Sequence, residues 1–231
     1  MRILSFDSSA KSASVAIVED NKIIGSSFIN TNITHSQTLV PLAEQLLRNT
    51  NLTINDVDTL AVSVGPGSFT GVRIGVSVVK GIAMPLNLPC IAVSTLESMA
   101  YNYMENDCII ASVMDARCNQ VYNALFKFKN GEIERLCDDR AVSIIDLENE
   151  LKEYSQKVIL IGDGAQLCYE NFGKKYDNIY LAPENIRYQN AVGVAFAAFN
   201  KDAVSAEKIM PTYLRLPQAQ RELKKRLENE K

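Results

Sequence analysis

Apolar positions along this chain follow two rhythms, and the points where the rhythm changes mark its elements. Residues 3–6 form a short apolar run that stops at Asp7. Residues 14–18 alternate, and residues 23–28 alternate again after a polar turn at Asn21-Lys22, so three short strands are expected in succession. Over residues 36–48 the period lengthens, with Leu39, Leu42, Ala43, Leu46 and Leu47 at helical spacing. Pro41 falls past the first turn if Ser36 caps this helix, so the helix is expected to start late or to kink. Apolar runs at 59–64 and 90–93 read as strands, and helices are expected over 72–84 and 96–104.

The second half repeats this order. Residues 109–114 form an apolar run ending at Asp115, residues 120–127 alternate, Asn130-Gly131 turns the chain, and a third strand is expected at 133–136. Residues 158–161 lead into Gly162-Asp163-Gly164 as residues 59–64 lead into Gly65-Pro66-Gly67. An internal repeat of a three-strand meander plus helices predicts an α/β chain of two similar lobes, each a mixed sheet flanked by helices, enclosing a cleft. The boundary is expected near residues 105–108, giving lobes of 1–106 and 107–231.

Composition narrows the chemistry. With 231 residues, 47% apolar and 22% charged, the chain can bury a substantial core. A net charge of −3 gives no general affinity for nucleic acid, and the clearest basic run is the charged tail at 221–231, expected to be a solvated helix. The five cysteines lie far apart with no C-x-x-C pair, and there is one histidine, so structural zinc is not expected. The odd thiol count and the absence of a signal sequence at the start point to free thiols in a reducing cytoplasm. No run approaches the roughly 20 apolar residues of a membrane span, so no membrane partner is expected.

The run Gly65-Pro66-Gly67-Ser68-Phe69-Thr70-Gly71-Val72-Arg73-Ile74-Gly75 is the strongest local signal. A strand, a Gly-rich turn and a helix N-terminus can hold an anion, because backbone N–H groups converge there. A P-loop would need a lysine after its last glycine, and here Val72-Arg73 follows Gly71; the strand at 90–93 ends without an acid for a ribose. The alternative is that the glycines permit a tight turn and close helix packing. The loop Asp7-Ser8-Ser9-Ala10-Lys11-Ser12 is a second candidate phosphate site, with Asp7 as a possible metal holder or simply a strand-end residue. Its counterpart, Asp115-Ala116-Arg117-Cys118-Asn119, lacks glycine and carries a bulky arginine, which does not suit a phosphate. His35 stands just before the first helix with Leu39 four residues on, so a metal pair is missing. The helix at 72–84 has two apolar sides: Val72, Val76, Val79 and Ala83 on one, and Ile74, Val78 and Ile82 with Gly71, Gly75 and Gly81 on the other. One must cover the lobe's own sheet; the other is left for the first helix or for another protein.

These motifs resemble those of the TsaB (YeaZ) family, which acts in biosynthesis of the tRNA modification threonylcarbamoyladenosine. The matching parts are Ile3-Leu4-Ser5-Phe6-Asp7-Ser8-Ser9, Thr34-His35-Ser36-Gln37 with Leu39 and Pro41-Leu42, the Gly-rich run, and Pro211-Thr212-Tyr213-Leu214-Arg215. The resemblance covers the whole chain and is looser after Tyr122. It implies two lobes of the actin/Hsp70-like ATPase superfamily (ribonuclease H-like) and a subunit that is not itself catalytic. Its implied partners are a TsaD-type subunit, which carries the metal histidines and the transferase site, a TsaE-type ATPase at that junction, and tRNA through the complex. The contact it implies is a four-helix bundle built from the first two helices of each partner, here through Leu42, Leu46, Gly71, Val72, Gly75, Val76 and Val79. Asp7, Ser8 and Ser9 become a vestigial phosphate loop, with no cofactor, or at most weak nucleotide binding. Alone, the chain could pair with itself through the same face. The alternatives are an ATP-dependent small-molecule kinase of the same superfamily and a glycoprotease-like hydrolase.

Overall fold

The structure, a computed structural model, describes residues 1–31 and 33–215. The charged tail at 221–231 lies outside the described residues. The first sheet contains β1 (Arg2–Asp7), β2 (Ala13–Glu19), β3 (Lys22–Ile29), β4 (Thr59–Gly65) and β5 (Cys90–Ser94), in the spatial order β3-β2-β1-β4-β5. β1, β2 and β3 form an antiparallel meander; β4 joins β1 in parallel with Ile3 opposite Thr59, and β5 joins β4 in parallel. Asp20 and Asn21, at φ 47° and 65°, make the β2–β3 reversal, because short polar side chains tolerate the left-handed region. The turn therefore sits one residue earlier than expected, and Lys22 already belongs to β3.

Two helices, α1 (His35–Asn49) and α2 (Phe69–Leu86), cover one face of this sheet. Leu4, Phe6, Val15 and Ile17 meet Leu39, Leu42, Leu46, Val72, Val76 and Val79 there. The expected Ser36 cap is not found: Thr34 precedes the helix, which begins at His35 and continues through Pro41. Proline inside a helix costs about 3 kcal/mol. Burial of Leu39, Leu42, Ala43 and Leu46 on both sides of it outweighs that, at about 1.5–3 kcal/mol for each leucine. α2 starts three residues before its expected position because the Ser68 hydroxyl accepts the Gly71 N–H at 3.2 Å. It ends at Asn87, left-handed at φ 51°. Contrary to expectation, α2 is long and apolar enough to cross a membrane by length and composition alone, with a mean hydropathy of 1.3. Its composition follows from having one side in this core and a second apolar side facing out.

The second sheet contains β6 (Cys108–Asp115), β7 (Gln120–Lys129), β8 (Glu132–Arg135), β9 (Arg140–Ser143), β10 (Lys157–Ile161) and β11 (Ile179–Leu181). Its order is β11-β10-β6-β7-β8, with β9 pairing to the first half of β7 on the edge where β8 pairs to its second half. Read from the meander, this is the order of the first sheet again, so the repeat seen in the sequence is a repeat of topology. Gly65 at the end of β4 and Gly162 just after β10 share a positive φ, 117° and 111°. At each, a Cβ would strike a carbonyl oxygen, that of Thr212 at 2.3 Å and of Val113 at 2.1 Å.

The remaining helices are α3 (Thr95–Ala100), α4 (Ile144–Leu151), α5 (Ala165–Asn171), α6 (Glu184–Arg187) and α7 (Ala191–Ala198). α3 is shorter than expected because the Asn102 and Tyr103 N–H groups close turns on Met99 and Ala100, and the chain leaves for β6. α4 and α5 cover one face of the second sheet. Its other face is covered by α3 from the first half, through Leu96, Met99 and Ala100 on Ile110, Phe126 and Ile159. Reciprocally, α7 covers the free face of the first sheet, placing Val194, Ala195 and Ala198 on Ile3, Val18, Ala61 and Val93. The two helices cross where a Cβ on Gly193 would lie 2.1 Å from the Ser98 carbonyl oxygen. A division at 106/107 thus parts the strands but is crossed by the helices.

Candidate functional site

The loop after β1 is bonded inward. Asp7 is fully buried; its Oδ1 accepts from the Ser9 N–H at 2.9 Å and hydroxyl at 2.8 Å, and its Oδ2 from the Ser63 hydroxyl at 2.5 Å. Burial raises its carboxyl above the ordinary range, and these hydrogen bonds only partly oppose that. The Ser8 hydroxyl donates to the Gly71 carbonyl at 2.9 Å and the Ser12 hydroxyl to the Gln189 carbonyl at 3.1 Å. The Gly-rich run packs directly on this loop. Ser68 N–H donates to the Ser9 carbonyl at 2.6 Å, and a Cβ on Gly71 would lie 2.0 Å from the Ser8 carbonyl oxygen. His35 Nε2 is 2.8 Å from the Ala10 carbonyl oxygen, so the single histidine braces the same loop.

Across a cleft of about 600 Å³ stands the turn between β6 and β7. Arg117, Cys118 and Asn119 are all left-handed there, and Asp115 Oδ1 accepts the Arg117 N–H at 2.7 Å. Arg215, from the end of the described chain, donates to the Ala116 carbonyl at 2.9 Å. Asp163, in the Gly162-Asp163-Gly164 turn, also lines the cleft and accepts from Gln189 Nε2 at 2.7 Å. Protein surrounds its carboxyl although it opens onto the cleft, and this confinement raises it to about 6; Gln189 opposes the rise, while Asp115 and Asp7 add to it. Among the described residues, no cluster of three or more His, Cys, Asp or Glu side chains is arranged to hold a metal.

The structure brings Leu42, Leu46, Gly71, Val72, Gly75, Val76 and Val79 together, but inside the lobe. All are buried against the first sheet or the β1–β2 loop, so their side chains do not form an outward face. The division of α2 read from the sequence is corrected at Gly71 and Gly75. They lie on the core side, because any side chain there would run into Ser8. The outward surface of α1 and α2 nonetheless keeps an apolar strip among the exposed Gln37, Glu44, Gln45, Arg48, Arg73 and Ser77. Val40 and Met84 are exposed, Leu47, Ile74, Val78 and Ile82 are half-buried, and Gly81 has open space around it. Gln189 and Arg215 are site residues that sequence reasoning missed as such. Arg215 sits in the Pro211–Arg215 motif, whereas Gln189 carries no local signal.

Two sheets of one strand order, with their first hairpins facing across a cleft, define the actin-like, two-lobed ATPase fold. A solved structure from Pseudomonas aeruginosa, of an uncharacterized protein with similarity to peptidase YEAZ, is similar with a TM-score of 0.78 and 26% identity, covering 93% of this chain and 99% of that one. The family model for TsaD, tRNA N6-adenosine threonylcarbamoyltransferase, matches residues 26–223. The chain is 33% identical over 224 residues to the tRNA threonylcarbamoyladenosine biosynthesis protein TsaB of Bacillus subtilis (strain 168), covering 95% of this chain and 96% of that one. The protein of the same description from Escherichia coli (strain K12) is 29% identical over 93% of this chain and 95% of its own. The chain belongs to the TsaB (YeaZ) family.

Proposed function

We propose that this chain is a non-catalytic subunit of tRNA threonylcarbamoyladenosine biosynthesis that binds and activates a TsaD-type catalytic subunit. The observation that carries this reading is the apolar strip on the outward surface of α1 and α2, where Ile74, Val78 and Ile82 remain half-exposed near the unencumbered Gly81. Burying such a surface contributes roughly 25 cal/mol per Å². Helices with small outward residues also let a second pair of helices approach closely. The cleft supports the non-catalytic part. Its first loop donates its hydroxyls to the protein itself, and the Ala116 carbonyl of its second turn is already held by Arg215, which supports a cleft not arranged around a nucleotide's phosphates. In this reading a TsaE-type ATPase joins at the subunit junction, tRNA is met through the complex, and the chain alone pairs with itself by the same surface.

Light scattering of the chain alone and with the TsaD-type subunit tests this. A one-to-one complex is expected, abolished by Gly81→Arg, which adds bulk and charge outside while touching nothing inside. The buried Gly75 and Val76 do not serve, because charge there would attack the fold. A chain that ignores the catalytic subunit and turns over ATP, with turnover lost in Asp7→Ala, would favour the kinase-like alternative.

A further inference from the structure

The Pro211-Thr212-Tyr213-Leu214-Arg215 motif takes no part in the docking surface, yet it touches both sides of the cleft. Thr212 N–H donates to the Val64 carbonyl at 2.7 Å, and the Thr212 carbonyl occupies the space that a Gly65 side chain would need. The segment leading to it is already fixed to the first lobe. Cys90 and Val204 exchange two backbone hydrogen bonds of 2.8 Å, and Lys80 of α2 reaches the Glu207 carbonyl at 3.1 Å. Tyr213 then stacks on Phe69, the first residue of α2, with ring centroids 4.0 Å apart and planes 12° from parallel. Arg73, one turn further along α2, lies over the Phe69 ring at 4.3 Å and donates through Nε to the Tyr213 hydroxyl at 2.7 Å. Two residues on, Arg215 crosses the cleft to the Ala116 carbonyl. That carbonyl opens a turn of three successive left-handed, non-glycine residues, a conformation that must be held by its surroundings.

We propose that residues 209–215 are a latch that sets the pose of the docking helix from across the cleft, with Tyr213 and Arg215 as positioning residues. The connection runs from the β6–β7 turn through Arg215 and Tyr213 to Phe69 and Arg73, and so into the first turn of α2. Releasing Arg215 frees both ends of this path: the turn in the second lobe and the start of α2 in the first. The effect on docking rests on the reading of α1 and α2 as the partner surface; the coupling between the lobes does not.

Arg215→Ala and Arg215→Lys, compared with the unaltered chain by hydrogen exchange and by titration with the TsaD-type subunit, test the latch. In Arg215→Ala, amides of the 116–120 turn and of residues 69–73 are expected to exchange roughly tenfold faster, as loss of one charge-assisted hydrogen bond implies. Amides of β3 and α5 should not change, which separates a latch from general loosening. Affinity for the catalytic subunit is expected to fall about five- to twentyfold, and Arg215→Lys should restore most of both effects, since lysine keeps a cationic donor. Tyr213→Ala should reproduce the change at α2 without freeing the 116–120 turn to the same extent. Faster exchange confined to the 116–120 turn, with α2 unmoved, would overturn the latch. A change at α2 that leaves affinity untouched would uphold the coupling of the lobes and overturn its effect on docking. If the unaltered chain does not bind the catalytic subunit, the docking reading fails, and the exchange at residues 69–73 alone decides whether the lobes are coupled.

Discussion

Three glycines of α2 should respond to alanine in opposite directions, although they lie in one helix. In a helix interior, glycine is less favourable than alanine by about 0.5–1 kcal/mol, because it loses more backbone freedom on folding. At Gly81 nothing offsets that gain, since a Cβ there meets no atom within 4 Å. Gly81→Ala is therefore expected to stabilise the chain by about 0.5–1 kcal/mol and to raise Tm by about 1–4 °C. The intrinsic gain at Gly75 is the same, but its Cβ would lie 2.6 Å from Ser8 Oγ and 3.4 Å from Val62 Cγ2. At Gly71 the obstacle is the Ser8 carbonyl oxygen at 2.0 Å, which belongs to backbone and cannot rotate away. Relief requires α2 to lift from the loop, straining the Ser8–Gly71 and Ser68–Ser9 hydrogen bonds. Overpacking of this kind costs about 1–3 kcal/mol, and each weakened bond about 0.5–1.5 kcal/mol. After the helix gain, Gly75→Ala should lose about 1–3 kcal/mol and Gly71→Ala more. Urea denaturation, read as midpoints at a common slope, measures all three. Equal effects at Gly81 and Gly75, or a less stable Gly81→Ala, would refute the assignment of Gly75 to the core and Gly81 to the surface.

Further tests address the cleft, the crossing and the thiols. Gly193→Ala is expected to cost at least about 2 kcal/mol, because a Cβ there meets the Ser98 carbonyl oxygen at 2.1 Å and Asn102 Oδ1 at 2.6 Å; calorimetry showing an unchanged Tm would mean that α3 and α7 do not cross there. Asp163→Asn has a pH dependence of definite sign: its folded carboxyl titrates at about 6, above an unfolded value near 4, so its proton stabilises the fold fully below about pH 4 and this contribution is lost as pH rises through 6. The variant should gain on the parent across that window, by about 1 kcal/mol once screening by cleft water is discounted, and a difference in unfolding free energy that is constant from pH 4 to 7 would contradict the environment described. Cys118 is exposed whereas Cys90, Cys108 and Cys168 are buried, with burial pushing Cys90 up to about 11 and Cys168 to about 12. A thiol reagent should modify Cys118 first and those three only on unfolding, and rapid reaction of Cys168 in the folded chain would be incompatible with its place on the buried side of α5.

The elements legible in the sequence are those whose signal is local. Asp7 and Asp115 end equivalent strands, Asn130-Gly131 turns where its composition says, and the glycines at 65 and 162 punctuate equivalent positions. What periodicity cannot give is the identity of the surface that an apolar face covers. Leu96 and Met99 announce a buried side for α3, yet nothing near them says that the sheet of the other half lies beneath. The apolar run of α7, buried nearly all round, could have been read as a helix inside the molecule, though not as the lid of the first lobe. Gly71 and Gly75 were ambiguous for the same reason. A helical wheel groups them with Ile74, Val78 and Ile82, and only the position of Ser8, more than sixty residues away, moves them to the core side. The 209–215 segment has no period at all, so its contacts had no sequence signal beyond the motif itself.

The crossing of α3 and α7 sets an order of events during synthesis. All five strands of the first sheet are present once Ser94 has been made, but the helix that covers Ile3, Val18, Ala61 and Val93 begins only at Ala191. At the usual pace of about 5–20 residues per second, that apolar surface waits roughly 5–20 s for its cover. The nascent first half therefore emerges with one side of its sheet open, a substrate for chaperones and a hazard for aggregation, until nearly the whole chain has left the ribosome. A gene truncated anywhere between the two helices would yield a folded-looking sheet that cannot stay in solution.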